Sequence, residues 1–224
     1  MAAPLVVFDL DGTLIDTAQD LVASLNHTIG LEGLEPVGRG DINHLVGHGG
    51  LVMLRRAFAL RGRELAETDL ERMLAVFIDH YAGGMPGLSA PYPGLATAME
   101  RLAEAGCGLA VCTNKTEMLA RRLIEGLGLT TRFAAITGGD TFSVRKPDAG
   151  HLLGTVRQAG GDPGRTVMVG DSLNDVLVAR NAGVPSIGVP FGYTDVPIAD
   201  LEPTHVIAHF DELTPDLVER LLTH

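Results

Sequence analysis

The chain has 224 residues, 46% of them hydrophobic, enough for one large domain or one domain plus a small insert around a filled core. Its 17 Lys and Arg against 28 Asp and Glu give a formal net charge of −11, which argues against nucleic acid or an anionic membrane surface as partner. Two cysteines, Cys107 and Cys112, are too few for a disulfide framework and lack Cys-x-x-Cys spacing, so they are expected as buried thiols in a reducing compartment.

In chain order, Leu5-Val6-Val7-Phe8 is a short apolar run bounded by Pro4 and reads as a buried strand of a parallel sheet. It begins within a few residues of Met1, which leaves no visible signal peptide, and no apolar run approaches the ~20 residues of a membrane span. A cytoplasmic protein is expected, as a monomer or homodimer. Asp9 and Asp11 sit at the strand's exit, followed by Gly12 and Thr13, with no basic residue in the first ten positions. Two carboxylates this close call for a cation, a shared proton or a phosphoryl transfer.

Asp16 or Thr17 can cap a helix carrying Leu21, Val22, Leu25 and Ile29 on one face, closed by Gly30 and Gly33. Asp41 is expected to cap a short segment over 42–46 that runs into Gly47-His48-Gly49-Gly50. Further helices are predicted over about 51–60 and 68–81. The second has Leu70, Met73, Leu74, Phe77, Ile78 and Tyr81 on one stripe. With no strand expected between Thr17 and Tyr81, residues 17–86 read as an all-helical cap domain inserted into a core of 1–16 and 87–224. The Gly and Pro cluster from Gly83 to Gly94 serves as the return hinge.

Beyond the hinge, helices over about 95–106, 116–128, 148–160, 174–181 and 215–222 alternate with strands at 108–112, 133–136, 166–169, 186–189 and 205–208. This alternation predicts an α/β fold with a doubly wound parallel sheet. In such sheets the carboxyl ends of the strands share one edge, where ligands bind. Thr113 and Asn114 follow one strand, and Asp171 and Asp175 follow another, so both pairs should meet Asp9 and Asp11 there. Carboxylates without histidine or thiolate suit magnesium rather than zinc. Thr113, at a helix start, and Lys146, set by Pro147, suit the phosphate that such a cation would share.

Taken in order, Asp9-x-Asp11-Gly12-Thr13-Leu14, Thr113, Lys146-Pro147 and Gly170-Asp171-x-x-x-Asp175 resemble the motifs of the haloacid dehalogenase-like hydrolase superfamily. The resemblance implies a Rossmann-like core and an aspartyl-phosphate mechanism in which Asp9 is the nucleophile and Asp11 the general acid and base. It further implies that Thr113, Asn114 and Lys146 hold the phosphoryl oxygens. Mg2+ would be held by Asp9, the backbone carbonyl of Asp11 and Asp171, with Asp175 orienting a water ligand or Lys146. Dehalogenases of the superfamily lack an acid two residues after the nucleophile, because a halide needs no proton, so Asp11 favours phosphoryl transfer.

Within the superfamily, Val46-Gly47-His48-Gly49 with Leu54 and Arg56-Ala57 is similar to the glycine-rich loop and helix of phosphoglycolate phosphatases, as are Phe191-Gly192-Tyr193 and Phe210-Asp211-Glu212-Leu213. Those enzymes commonly carry Gly-Asn-Gly where His48 stands here. The expected substrate is a small phosphorylated metabolite, 2-phosphoglycolate, with His48, Gly49 and Arg56 as cap contacts. Pyrophosphatase, nucleotide or sugar-phosphate phosphatase and phosphomutase activities fit the same core, and a non-catalytic binding module is the remaining alternative. Lys115 and Arg145 are expected to be solvated surface charges, and His44 with His48, lacking a third ligand, is not expected to bind metal.

Overall fold

The computed structural model describes residues 2–38, 41, 45 and 49–223. At its centre lies β1 (Leu5–Phe8), in a six-stranded parallel sheet of order β5-β4-β1-β6-β7-β8. The other strands are β4 (Gly108–Cys112), β5 (Ala135–Thr137), β6 (Thr166–Gly170), β7 (Ser186–Gly188) and β8 (His205–Val206). All four β1 residues are buried because side chains alternate between faces and both faces are covered. Val6 and Phe8 enter one apolar cluster with Leu102, Leu123 and Val218, while Leu5 and Val7 enter the opposite one with Leu152, Val156 and Val178. A parallel strand buried on both sides needs a continuous apolar run.

Among the helices that follow β1 in the described residues are α1 (Ala18–Gly30), α2 (Gly50–Leu60) and α3 (Glu67–Gly84). They build an apolar cluster of their own around Leu25, Ile29, Leu54, Phe58, Met73 and Phe77. The stripe read from the sequence supplies much of it: Leu70, Met73, Phe77 and Tyr81 are buried on α3. On the sheet side, α4 (Leu95–Glu104), α5 (Glu117–Gly126), α6 (Ala149–Gln158), α7 (Leu173–Ala182) and α8 (Pro215–Leu222) fall where alternation placed them.

Three details differ from the sequence reading. The expected strand over 133–136 is shifted to Ala135–Thr137, because a short 3-10 turn at Thr130–Arg132 takes up the chain before it. The last strand stops at Val206, where a loop and a turn at Phe210–Glu212 begin. A small antiparallel ribbon of β2 (Ile15–Asp16) and β3 (Ala90–Pro91) joins the two passages between sheet and helical layer, and it went unforeseen. Two residues per strand are too few for a periodic signal.

Candidate active site

Parallel register decides which side chains meet. Leu5–Phe8 pair with Gly108–Val111 on one side and Thr166–Val169 on the other, so the three strands end level with one another. Asp9 continues the ladder one step, its N–H donating to the Val169 carbonyl at 2.9 Å, and the Thr113 N–H donates to the Thr137 carbonyl at 3.1 Å. Asp9, Thr113 and Asp171 therefore stand side by side at one sheet edge, as the motif order predicted.

Lys146 is the cation at the middle of this edge. Its side chain is 1% exposed, and its ammonium lies 2.8 Å from Asp9 Oδ1 and 2.6 Å from Asp175 Oδ1. Burial opposes the ammonium's charge, but Asp175 and Asp9 outweigh it and hold the group protonated well above the usual lysine range. Asp175 opens α7 as the N3 partner of a capping box with Ser172, whose N–H and hydroxyl donate to Asp175 Oδ2 at 3.0 and 2.6 Å. Both Asp175 oxygens are thus engaged, one by the helix start and one by Lys146.

Asp171 is held differently. Its Oδ1 accepts from the Thr13 hydroxyl at 3.1 Å, and its Oδ2 from the Tyr193 N–H at 2.7 Å. A Cβ at Gly12 would come within 2.4 Å of Asp171 Oδ2, and Gly12 has φ +81°, so both the turn and the close approach require glycine. Burial pushes the Asp171 carboxyl well above its ordinary pKa, with the charges of Asp175 and Asp9 adding to the effect. Burial likewise lifts Asp9 to about 6, against the pull of Lys146.

Carboxylate oxygens of Asp9, Asp171 and Asp175 lie within 4.8 Å of one another. Three buried carboxylates face the Lys146 ammonium here, and the charges of the neighbouring carboxylates add to the rise that burial gives Asp9 and Asp171. An all-oxygen set short of positive charge fits a divalent cation.

In front of this edge lies a cavity of about 250 Å³, bounded on the sheet side by Asp9, Asp11, Thr113, Asn114 and Lys146. The helical layer closes it with the first turn of α2 and with Leu74, Phe77 and Tyr81 of α3. Asp11 is positioned by the Thr17 hydroxyl, which donates to its Oδ1 at 2.7 Å. Asn114 donates to the Lys146 carbonyl at 3.0 Å and so braces the loop carrying the lysine.

Among the cap residues singled out from sequence, Gly49 lines the cavity, whereas Arg56 does not. Arg56, on α2, lies 3.4 Å from the Asp195 carboxylate. His44 and His48 lie outside the described residues. Arg145 lines the cavity as an exposed residue. Lys115 reverses its expectation: its side chain is 6% exposed, and its ammonium grips both Asp11 oxygens at 2.8 and 2.9 Å and lies 4.6 Å from the centre of the Tyr81 ring. The sequence held a signal for it, since Lys115 is only two residues beyond Thr113 at the same strand end. Tyr193 was noted only as part of a motif. Its hydroxyl accepts from the N–H groups of Thr17 and Ala18 at 2.7 and 3.0 Å, tying the start of α1 to the loop after β7.

The haloacid dehalogenase-like hydrolase family profile matches residues 6–189, which takes in every motif at this edge. The chain belongs to the haloacid dehalogenase-like hydrolases. Relatives of this hydrolase include a phosphoglycolate phosphatase of Agrobacterium fabrum, 61% identical over 99% of this chain and 95% of that one. A second, from Mesorhizobium japonicum, is 52% identical over 99% of this chain and 98% of the other. A crystal structure described as a predicted phosphoglycolate phosphatase from Haemophilus somnus superposes with a TM-score of 0.87 at 28% identity, covering 94% of this chain and 96% of its own.

One further residue steadies the lysine of this haloacid dehalogenase-like hydrolase. His151, on α6 and fully buried, accepts a hydrogen bond at Nδ1 from the Lys146 backbone N–H at 3.1 Å. That contact puts the imidazole proton on Nε2, beside the Thr137 hydroxyl at 3.4 Å. Burial pushes the His151 pKa down to about 4, and the Lys146 charge pushes the same way. The unfolded chain therefore binds a proton here that the fold refuses. Stability from His151 is intact above about pH 6.5 and is lost as pH falls from there toward 4, by up to about 3 kcal/mol. In urea titrations at pH 7 and pH 4.5, His151→Gln should lose less stability than the wild type. Equal losses would remove His151 as a source of acid lability.

Proposed function

We propose that this chain is a magnesium-dependent phosphomonoesterase that converts 2-phosphoglycolate to glycolate and phosphate through an aspartyl-phosphate on Asp9. The observation that carries the reading is the pairing of Asp9 with Lys146 at 2.8 Å on the floor of a cavity, with a second carboxylate, Asp11, two residues on. The high identity to phosphoglycolate phosphatases along nearly the whole chain supports the choice of substrate.

In the first half-reaction an Asp9 carboxylate oxygen forms a bond to phosphorus as the bond from phosphorus to the glycolate oxygen breaks. Asp11 delivers the proton that the departing oxygen needs. In the second half-reaction Asp11 takes a proton from water, the resulting oxygen bonds to phosphorus, and the Asp9–phosphorus bond breaks. Thr113, Asn114 and Lys146 hold the phosphoryl oxygens, and Lys146 keeps the approaching dianion from meeting bare carboxylates. Mg2+, held by Asp9, Asp171 and the Asp11 backbone carbonyl, would supply charge neutralisation at the phosphoryl group. Asp175, with one oxygen on Lys146 and the other on Ser172, orients the lysine.

Residues 17–86 act in this reading as a cap domain over the core of 1–16 and 87–224, excluding bulk water from the reacting atoms. Support comes from the separate apolar cluster of α1–α3 and from the ribbon at which the chain crosses between layers. The test is phosphate release from a panel holding 2-phosphoglycolate, sugar phosphates, a nucleotide and pyrophosphate, on chelator-treated enzyme with and without added Mg2+. The expected result is release that depends on Mg2+ and is fastest, by kcat/KM, with 2-phosphoglycolate. Faster turnover of another panel member would replace the substrate, and full activity in chelator would overturn the metal.

A further inference from the structure

Most polar groups at the sheet edge are accounted for by one another, yet the cavity keeps a second polar cluster that the phosphoryl chemistry does not use. Thr116 Oγ1 is buried without a hydrogen-bond partner among the described residues, and the buried Tyr81 hydroxyl has only the Lys115 ammonium beside it. Both residues line the cavity, and Tyr81 as a residue is only 2% exposed. Buried donors left unsatisfied inside a cavity mark the place of a ligand. Lys115, next to Thr116 in the chain, sets its ammonium over the Tyr81 ring. An ammonium has three donors. Two lie on the Asp11 oxygens, and the third, beside the Tyr81 hydroxyl, can turn to an anion entering the cavity.

The surroundings of this cluster restrict what it can receive. Leu21, Leu74, Phe77, Ile78 and Leu119 give the cavity an apolar wall, which leaves the buried Lys115 side chain and the exposed Arg145 as the lining cations besides Lys146. The first turn of α2, with Gly50, Leu51 and Val52, lines the same space. The cluster is also close to the phosphoryl site, since Lys115 follows Thr113 by two residues and its N–H donates to the Thr113 hydroxyl at 3.2 Å. A short spacing between two anionic groups matches a two-carbon phosphate ester with a carboxylate at its far end.

Resting on the phosphatase reading above, we infer that Lys115, with the hydroxyls of Tyr81 and Thr116, is the receptor for the substrate carboxylate and that Lys115 is the specificity-determining residue of this enzyme. Tyr81 belongs to the helical layer and Lys115 to the sheet layer, so the receptor is complete only when the two layers meet. It thereby links recognition of the leaving group to closure of the cavity.

The test compares 2-phosphoglycolate with ethyl phosphate, which has a methyl group in place of the carboxylate and the same alkoxide leaving group, on the Mg2+-loaded enzyme. Wild-type enzyme should prefer 2-phosphoglycolate by kcat/KM. Lys115→Gln should lower kcat/KM for 2-phosphoglycolate by roughly 100-fold, mainly through KM, and ethyl phosphate far less, so that the preference collapses. Tyr81→Phe removes only the hydroxyl beside Lys115 and keeps the buried ring and its packing, so this variant should fold. It should cost roughly tenfold on 2-phosphoglycolate, again with a smaller effect on ethyl phosphate. Losses of equal size on both substrates in both variants would overturn the receptor and leave Lys115 as a support for Asp11. A wild type without preference for 2-phosphoglycolate would instead overturn the substrate reading, and this receptor with it.

Discussion

Asp9→Asn is expected to lower phosphate release from 2-phosphoglycolate by more than ~10⁴-fold, because an amide supplies no nucleophilic oxygen for the phosphoryl group. The fold should survive the change. Asp9 is one of three buried carboxylates around one ammonium, and burial already disfavours its ionised form, lifting its pKa to about 6. A neutral amide of the same shape removes repulsion toward Asp171 and Asp175, while Lys146 keeps its 2.6 Å contact with Asp175. The melting temperature should therefore stay within a few degrees of wild type in the absence of Mg2+. Acid-quenched wild-type enzyme taken during turnover should carry one phosphoryl group on the peptide containing Asp9, as read by mass spectrometry, and the variant none. A variant retaining a tenth or more of wild-type activity would sink the nucleophile assignment.

The sheet and its edge were legible because each strand carries its own burial signal and because parallel topology brings the strand ends together. Leu5–Phe8, Gly108–Cys112 and Thr166–Gly170 read as strands from apolar runs alone. Asp9, Thr113 and Asp171 then had to meet, since they stand directly beyond those runs. Lys146 was legible for a different reason: its place ahead of Pro147 and a helix start made sense only against a resemblance, and the 2.8 Å contact with Asp9 bears that placement out.

What escaped the sequence was pairing across layers. A lysine among polar residues is ordinarily solvated, so the closeness of Lys115 to Thr113 hinted at the sheet edge but not at Asp11 and the Tyr81 ring as the groups that enclose it. Tyr81 itself looked like the last member of an apolar stripe, and nothing in helical spacing tells that its hydroxyl end reaches a cavity. For Arg56 the side-chain type fits carboxylate recognition, but a position on a helix does not say which carboxylate it meets, and here one of them is Asp195. Specificity at this site is thus written in contacts between segments, where a single sequence is least informative.

Lys146→Met should abolish activity and also destabilise the protein, and the two losses can be separated. With the ammonium gone, Asp9, Asp171 and Asp175 share a buried site with no countercharge, a situation that typically costs 3–5 kcal/mol, about 10 °C in melting temperature for a chain of this length. Met fills a volume close to that of the lysine stem, so the cost is electrostatic rather than a cavity. Lys146→Arg should not rescue the site. At 1% exposure there is no room for a planar guanidinium, and the bidentate geometry it favours does not match one oxygen from each of two carboxylates. Adding Asp175→Asn to Lys146→Met removes one of the stranded charges and should recover a large part of the lost stability while leaving turnover at the level of Lys146→Met alone. That non-additivity, read by thermal denaturation in chelator and by phosphate release in Mg2+, would show Asp175 acting on the reaction through Lys146. Additive losses in stability would instead mean that Asp175 and Lys146 contribute independently, and the lysine-orienting role given to Asp175 would fall.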